Sequence, residues 1–203
     1  MSFEAAAMTN LVAWALYIMV FAANLSTRKR SERRGDSKLL VGALFQVAAP
    51  LVLPAFLRPP GSPLVPADWA YGELLEQVVR VVAVLLEFGS VWLTFAAIRT
   101  LGKQWALSAR VVRDHELIRT GPYGLVRHPI YTGALGITIA TALTATRWEA
   151  VIIAAALSLL GAWIRVRSEE KLLRETFGSE YARYAQLVPA IIPGLRLHRA
   201  RNG

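Results

Sequence analysis

The chain of 203 residues contains no cysteine. Disulfides, thiolate nucleophiles and cysteine-ligated zinc or iron–sulfur centres are therefore excluded. Histidine is almost as scarce: His115, His128 and His198 are the only three, and their spacing fits no compact metal site, so no metal is expected. No lysine or arginine precedes Arg28. The basic start of a cleavable signal peptide is thus missing, and the first apolar run is expected to remain in the mature protein. A strand–G-x-G-x-x-G–helix signature is also absent. Gly121 and Gly124 make only a G-x-x-G, so a nucleotide-like cofactor must be held by something other than a Rossmann domain.

Charge is missing from long stretches as well. Residues 5–25, 39–57, 130–146 and 150–164 carry none, and residues 81–98 carry only Glu87. About 20 residues at about 1.5 Å each cross a hydrocarbon core of about 30 Å. The first three runs reach that length, while the last two are short and need snorkelling flanks. The fold expected is an all-α integral membrane protein with about five transmembrane helices. Pro50 and Pro54 should bend or end the second. Glu87 near the outer end of the third is expected to snorkel or to pair with Arg80 or Arg147.

The net charge of +9 is distributed as topology rather than as a nucleic-acid surface. Six Lys/Arg separate the first two runs, six separate the third from the fourth, and eight follow the fifth, leaving only Arg58, Arg80 and Arg147 elsewhere. Five crossings place all three basic segments on one side, and the positive-inside rule makes that side cytoplasmic. The N-terminus is then expected outside and the C-terminus in the cytoplasm. The partner this implies is the membrane, with attraction to anionic lipid second, and not nucleic acid.

Polar chemistry is concentrated in the second half. Within residues 121–133, Arg127, His128 and Tyr131 crowd the mouth of an apolar run, where polar groups are costly unless they work at the interface. The fourth and fifth runs are joined so briefly that they must form a hairpin, which brings His128 beside Glu169 and Glu170 at one membrane edge. Thr132, Gly136, Ala140 and Thr144 recur every four residues, a small-residue stripe suited to close helix packing. Leu172, Leu173, Phe177, Tyr181 and Tyr184 mark one face of an amphipathic helix over 171–186, able to lie on the membrane or to close over the polar loop. Residues 1–98 read as a scaffold of three helices, and 99–203 as the catalytic region.

Segment 121–133, the hairpin after it, and Arg165, Glu169-Glu170, Phe177-Gly178-Ser179-Glu180-Tyr181 and Tyr184 together resemble the isoprenylcysteine carboxyl methyltransferase family. They also resemble the wider group of integral-membrane methyltransferases that includes phospholipid N-methyltransferases. The resemblance covers residues 99–193. It implies S-adenosyl-L-methionine as cofactor, in a cytoplasmic pocket formed by the connector before the fourth helix and by the C-terminal helix. Matched position by position, it implies that His115, Glu116, Leu117, Ile118, Tyr123, His128, Pro129, Ile130, Tyr131, Glu169 and Glu170 line the cofactor. Arg165 falls beside the methyl acceptor, a lipid or lipidated amphiphile. Ser108 stands where the family often has an amide. A carboxylate acceptor needs no base and suits Arg165; an amine acceptor needs one, with His128 or Glu170 as candidates. Two other readings remain: an NADPH-dependent membrane sterol or steroid reductase, and a non-enzymatic membrane scaffold.

Overall fold

A computed structural model describes residues 3–25, 37–53, 72–105 and 116–195, together with positions 57, 59 and 62. His115, Ser108, Pro54 and most of the Pro-rich loop lie outside the described residues. Each of the five apolar runs is helical: α1 (Phe3–Leu25), α2 (Ser37–Val52), α3 (Gly72–Leu101), α4 (Pro129–Ala145) and α5 (Trp148–Leu187). Short 3-10 turns occupy Gly102–Gln104 and Gly121–Gly124. The described residues form no strand, only an isolated bridge between Leu57 and Thr146.

By length and composition, α1, α3 and α5 can cross a membrane, while the apolar parts of α2 and α4, Val41–Leu51 and Pro129–Thr144, are shorter. The helix α2 ends at Val52, shortly after Pro50 and before Pro54, as proline sterics demand. The fifth run differs from expectation. It does not stop at Ile164 but continues for 40 residues through the segment expected as a separate amphipathic helix. Arg165 to Glu170 leave the apolar zone without ending the helix, because charged side chains are good helix formers in water. The interruption comes later, at Gly178, whose φ of 48° and ψ of −120° are non-helical, a backbone geometry glycine adopts without Cβ strain.

Close backbone approach assembles the bundle. A Cβ on Gly133 would fall 2.1 Å from Thr94 Oγ1, and one on Gly136 would fall 2.2 Å from Ser90 Oγ, so the small-residue side of α4 seats on α3. Likewise Gly161 of α5 meets α2 so tightly that a Cβ would sit 2.7 Å from the Gly42 carbonyl oxygen. Polar side chains tie α1 to α4: Trp14 Nε1 donates to Thr141 Oγ1 at 2.9 Å, and Asn10 Nδ2 donates to Thr144 Oγ1 at 3.1 Å. Without a hydrophobic drive between helices in lipid, such contacts carry much of the specificity.

Glu87 does not snorkel. It is fully buried, and neither carboxylate oxygen has a hydrogen-bond partner. Arg80 instead pairs with Glu76 at 3.0 Å, because residues four apart share a helix face and seven-residue reach is not needed to satisfy the cation.

Candidate functional site

The polar end of α4 begins with Pro129 at its first turn, a position where proline's missing N–H costs nothing. The preceding segment is stitched to the chain beyond α5. Arg127 N–H donates to the Pro189 carbonyl at 2.8 Å, His128 N–H to the Ala190 carbonyl at 2.9 Å, and Thr132 Oγ1 to the Ile191 carbonyl at 2.6 Å. Tyr184 hydroxyl donates to the Tyr123 carbonyl at 2.7 Å. The C-terminal part of α5 therefore closes over the polar loop, the second of the two placements open to the amphipathic face.

Arg127 anchors this arrangement. Its Nε and Nη2 donate to Glu170 Oε1 at 2.9 and 2.6 Å, and Nη1 donates to the Ala185 carbonyl at 2.9 Å and to that of Val188. It thus satisfies carbonyls that the end of a helix leaves open. Glu170 gathers cations from three directions, with Arg174 Nη2 at 2.7 Å and His128 Nε2 at 3.5 Å besides Arg127.

His128 sits between the two acids, its Nδ1 3.5 Å from Glu169 Oε2, and it is buried. Burial by itself lowers the imidazole pKa, but Glu169 and Glu170 together raise it above the ordinary histidine value. Its Nε2, 3.5 Å from Glu170 Oε1, has no hydrogen bond of good geometry. Tyr131 hydroxyl donates to Glu169 Oε1 and accepts from Arg165 Nε at 2.8 Å. The Arg165 guanidinium carbon also lies 5.1 Å from the centre of the Tyr131 ring. One continuous polar chain therefore runs from Arg165 through Tyr131, Glu169, His128 and Glu170 to Arg127.

This chain borders a cavity of about 670 Å³, within the range of about 300–1,000 Å³ usual for small-molecule sites. Of the sequence-predicted residues, Glu116, Leu117, Ile118, Tyr123, His128, Pro129, Ile130, Tyr131, Arg165 and Glu169 line it. Glu170 does not; neighbouring helical residues diverge by about 100°, and it turns back toward Arg127 and Arg174. Several lining residues escaped the sequence reading. Gln104 holds the Glu116 N–H through its Oε1 at 3.1 Å. Trp14, Tyr17 and Phe21 of α1, and Gln46 and Pro50 of α2, form an opposite, largely apolar wall. The three-then-four spacing of Trp14, Tyr17 and Phe21 was a readable signal of one helix face. Among the described residues no group of three or more His, Cys, Asp or Glu is placed to hold a metal ion.

Comparison with known proteins adds a family. The family model described as phospholipid methyltransferase matches residues 78–180. The chain is 37% identical over 122 residues to the nickel-cobalt-cadmium resistance protein NccN of Alcaligenes xylosoxydans xylosoxydans, covering 59% of this chain and 55% of that protein. It is 33% identical over 120 residues to the cobalt-zinc-cadmium resistance protein CzcN of Cupriavidus metallidurans, covering 58% and 53%. A third relative, protein-S-isoprenylcysteine O-methyltransferase B of Arabidopsis thaliana, is 31% identical over 99 residues, covering 48% of this chain and 50% of that protein. The chain thus spans about half the length of the curated relatives it matches.

Proposed function

Starting from the fact that the chain belongs to the phospholipid methyltransferase family of membrane methyltransferases, we propose that it transfers a methyl group from S-adenosyl-L-methionine to an amphiphilic acceptor in the membrane. One observation carries this reading: a single cavity has an acidic and cationic polar end, built by Glu169, His128 and Arg165, and an apolar wall supplied by α1 and α2. A charged soluble cofactor and a lipid-borne acceptor need those two environments side by side.

The residues fit the cofactor's donor and acceptor set. Glu169 keeps lone pairs beyond those used by Tyr131 and His128, and can accept from an ammonium or from ribose hydroxyls. The Glu116 backbone is fixed by Gln104, presenting that segment to the same space. When bound, S-adenosyl-L-methionine supplies an electrophilic methyl on its sulfonium sulfur. The protein's own contribution is then positioning and exclusion of water. Arg165, held at Nε by Tyr131, orients the acceptor; Tyr131 links that cation to Glu169, so acceptor and cofactor ends share one rigid strut. The α5 roof, closed by Arg127, keeps water out. With a carboxylate acceptor no base is required; with an amine, His128 is the imidazole at hand. The acidic lining and the engagement of Arg127 with Glu170 weigh against a phosphate-rich cofactor such as NADPH, which calls for a cationic clamp.

We further assign the polar end of the cavity to the cytoplasmic side, with five crossings, the N-terminus outside and the C-terminus inside, on the strength of the basic segments. Residues 99–203 supply the chemistry. Residues 1–98 are the scaffold and also the apolar wall. The test is methyl incorporation from methyl-labelled S-adenosyl-L-methionine into amphiphiles by the purified protein. Label in the acceptor, lost in Arg165→Lys while cofactor binding persists, is the expected result; no incorporation into carboxylate or amine amphiphiles removes the proposal.

A further inference from the structure

The cavity has a floor, and its position sets a length. Along α4 the lining residues run from Pro129 at the polar end to Thr138. Trp14 comes next: its indole N–H is held by Thr141, 2.9 Å away, one turn beyond Thr138. Along α2 the lining ends at Pro50 and Leu51, and Leu53 is already packed in a core cluster with Ala142, Ala150 and Ala154. The α1 wall is a continuous series of aromatic contacts. Ring centres lie 6.1 Å apart from Trp105 to Phe21, 5.2 Å from Phe21 to Tyr17, and 5.7 Å from Tyr17 to Trp14. Trp105 directly follows Gln104, whose side chain holds the Glu116 N–H, so the series begins at the polar end and stops at a tryptophan pinned in place.

We propose that this apolar arm takes the hydrocarbon tail of the methyl acceptor and that Trp14, fixed by Thr141, limits the length of tail it accepts. The inference rests on the methyl-transfer reading for its choice of occupant. Phe21 to Trp14 is seven residues and Pro129 to Thr138 is nine, which at about 1.5 Å per residue gives an arm about 10–13 Å deep. A carbon–carbon bond of about 1.5 Å at its tetrahedral angle advances about 1.25 Å, so the arm holds roughly eight to eleven extended carbons. Trp14, Tyr17 and Phe21 lie on α1, outside the residues matched by the family model, whereas Trp105 lies within them. A pinned indole is a firm stop because both its hydrogen bond to Thr141 and its edge-to-face contact with Tyr17 resist displacement.

The test uses detergent-solubilised full-length protein and single-chain amphiphiles, carboxylate-headed and amine-headed, with tails from half the arm's length to twice it. Affinity is measured directly, by equilibrium dialysis, and methyl transfer is measured in parallel. Affinity should climb by up to about fourfold per methylene until the tail fills the arm, then level off. In Trp14→Ala the levelling point should move to longer tails by about two carbons or more, with affinity for the shortest tails unchanged. Trp14→Phe, which keeps an aromatic ring but loses the bond to Thr141, should move it the same way by less, and serves if the alanine variant does not fold. The same levelling point in the folded variants as in the parent protein overturns the proposal, as does affinity independent of tail length. The expected affinity profile without methyl transfer to any acceptor leaves the length stop standing and removes the methyl-transfer reading instead.

Discussion

At the scale of single residues, the polar chain from Arg165 to Arg127 makes each member depend on its neighbours. His128 is the clearest case. Its pKa is raised by the two glutamates against the opposing effect of burial. A group whose folded pKa exceeds its unfolded value of about 6.5 contributes stability that is complete below the unfolded value and is lost as pH rises through the folded one. The melting temperature of the parent protein should therefore exceed that of His128→Gln most at mildly acidic pH, with the gap narrowing above pH of about 6.5. A gap independent of pH contradicts the raised pKa of His128. For Arg127 the expectation is larger. Arg127→Ala leaves the buried Glu170 with Arg174 and His128 alone and opens two carbonyls, and a lost hydrogen bond to a charged group costs about 1.5–3 kcal/mol; thermal or denaturant unfolding reads it, and a loss below about 1 kcal/mol is the contrary outcome. The meeting of His128 with Glu169 was legible in the sequence, because a tight hairpin returns the chain to the edge it left. The anchoring by Arg127 was not, since its partners include main-chain carbonyls of Ala185 and Val188, which carry no sequence signature.

At the scale of elements, the five helices follow from five apolar runs, but their lengths and contacts do not. The charges from Arg165 onward read as the end of a span, whereas a helix needs only an aqueous surrounding to accept them, so α5 runs on to Leu187. The stripe on α4 was recognisable as packing from its four-residue period. The meeting of Gly42 with Gly161 was not, because neither glycine is marked out in the sequence until the two backbones are side by side. That contact gives a paired prediction. Gly161→Ala drives a Cβ to 2.7 Å from a main-chain oxygen and should destabilise the protein by about 1–3 kcal/mol. Gly89→Ala meets nothing within 4 Å and should be neutral or stabilising by up to about 1 kcal/mol, through helix propensity alone. Equal melting temperatures for the two variants contradict the close α2–α5 packing, and with it the seat of Arg165, whose Cγ a Cβ on Gly42 would approach to 2.5 Å.

At the scale of the whole molecule, the proposed orientation rests on the distribution of the basic segments. If the chain crosses five times, reporters fused to the two ends should report opposite sides, with the C-terminal one cytoplasmic; both on one side contradicts five crossings. The central claim, however, is that the polar end of the cavity holds S-adenosyl-L-methionine. It is tested most directly by titrating the purified protein with the product analogue S-adenosylhomocysteine and, separately, with NADPH. The account predicts saturable binding of the first alone, weakened about tenfold or more in Glu169→Gln, since a hydrogen bond to a charged group is worth about 1.5–3 kcal/mol. Binding of NADPH alone, or of neither, or an affinity for S-adenosylhomocysteine unchanged in a folded Glu169→Gln protein, would contradict it.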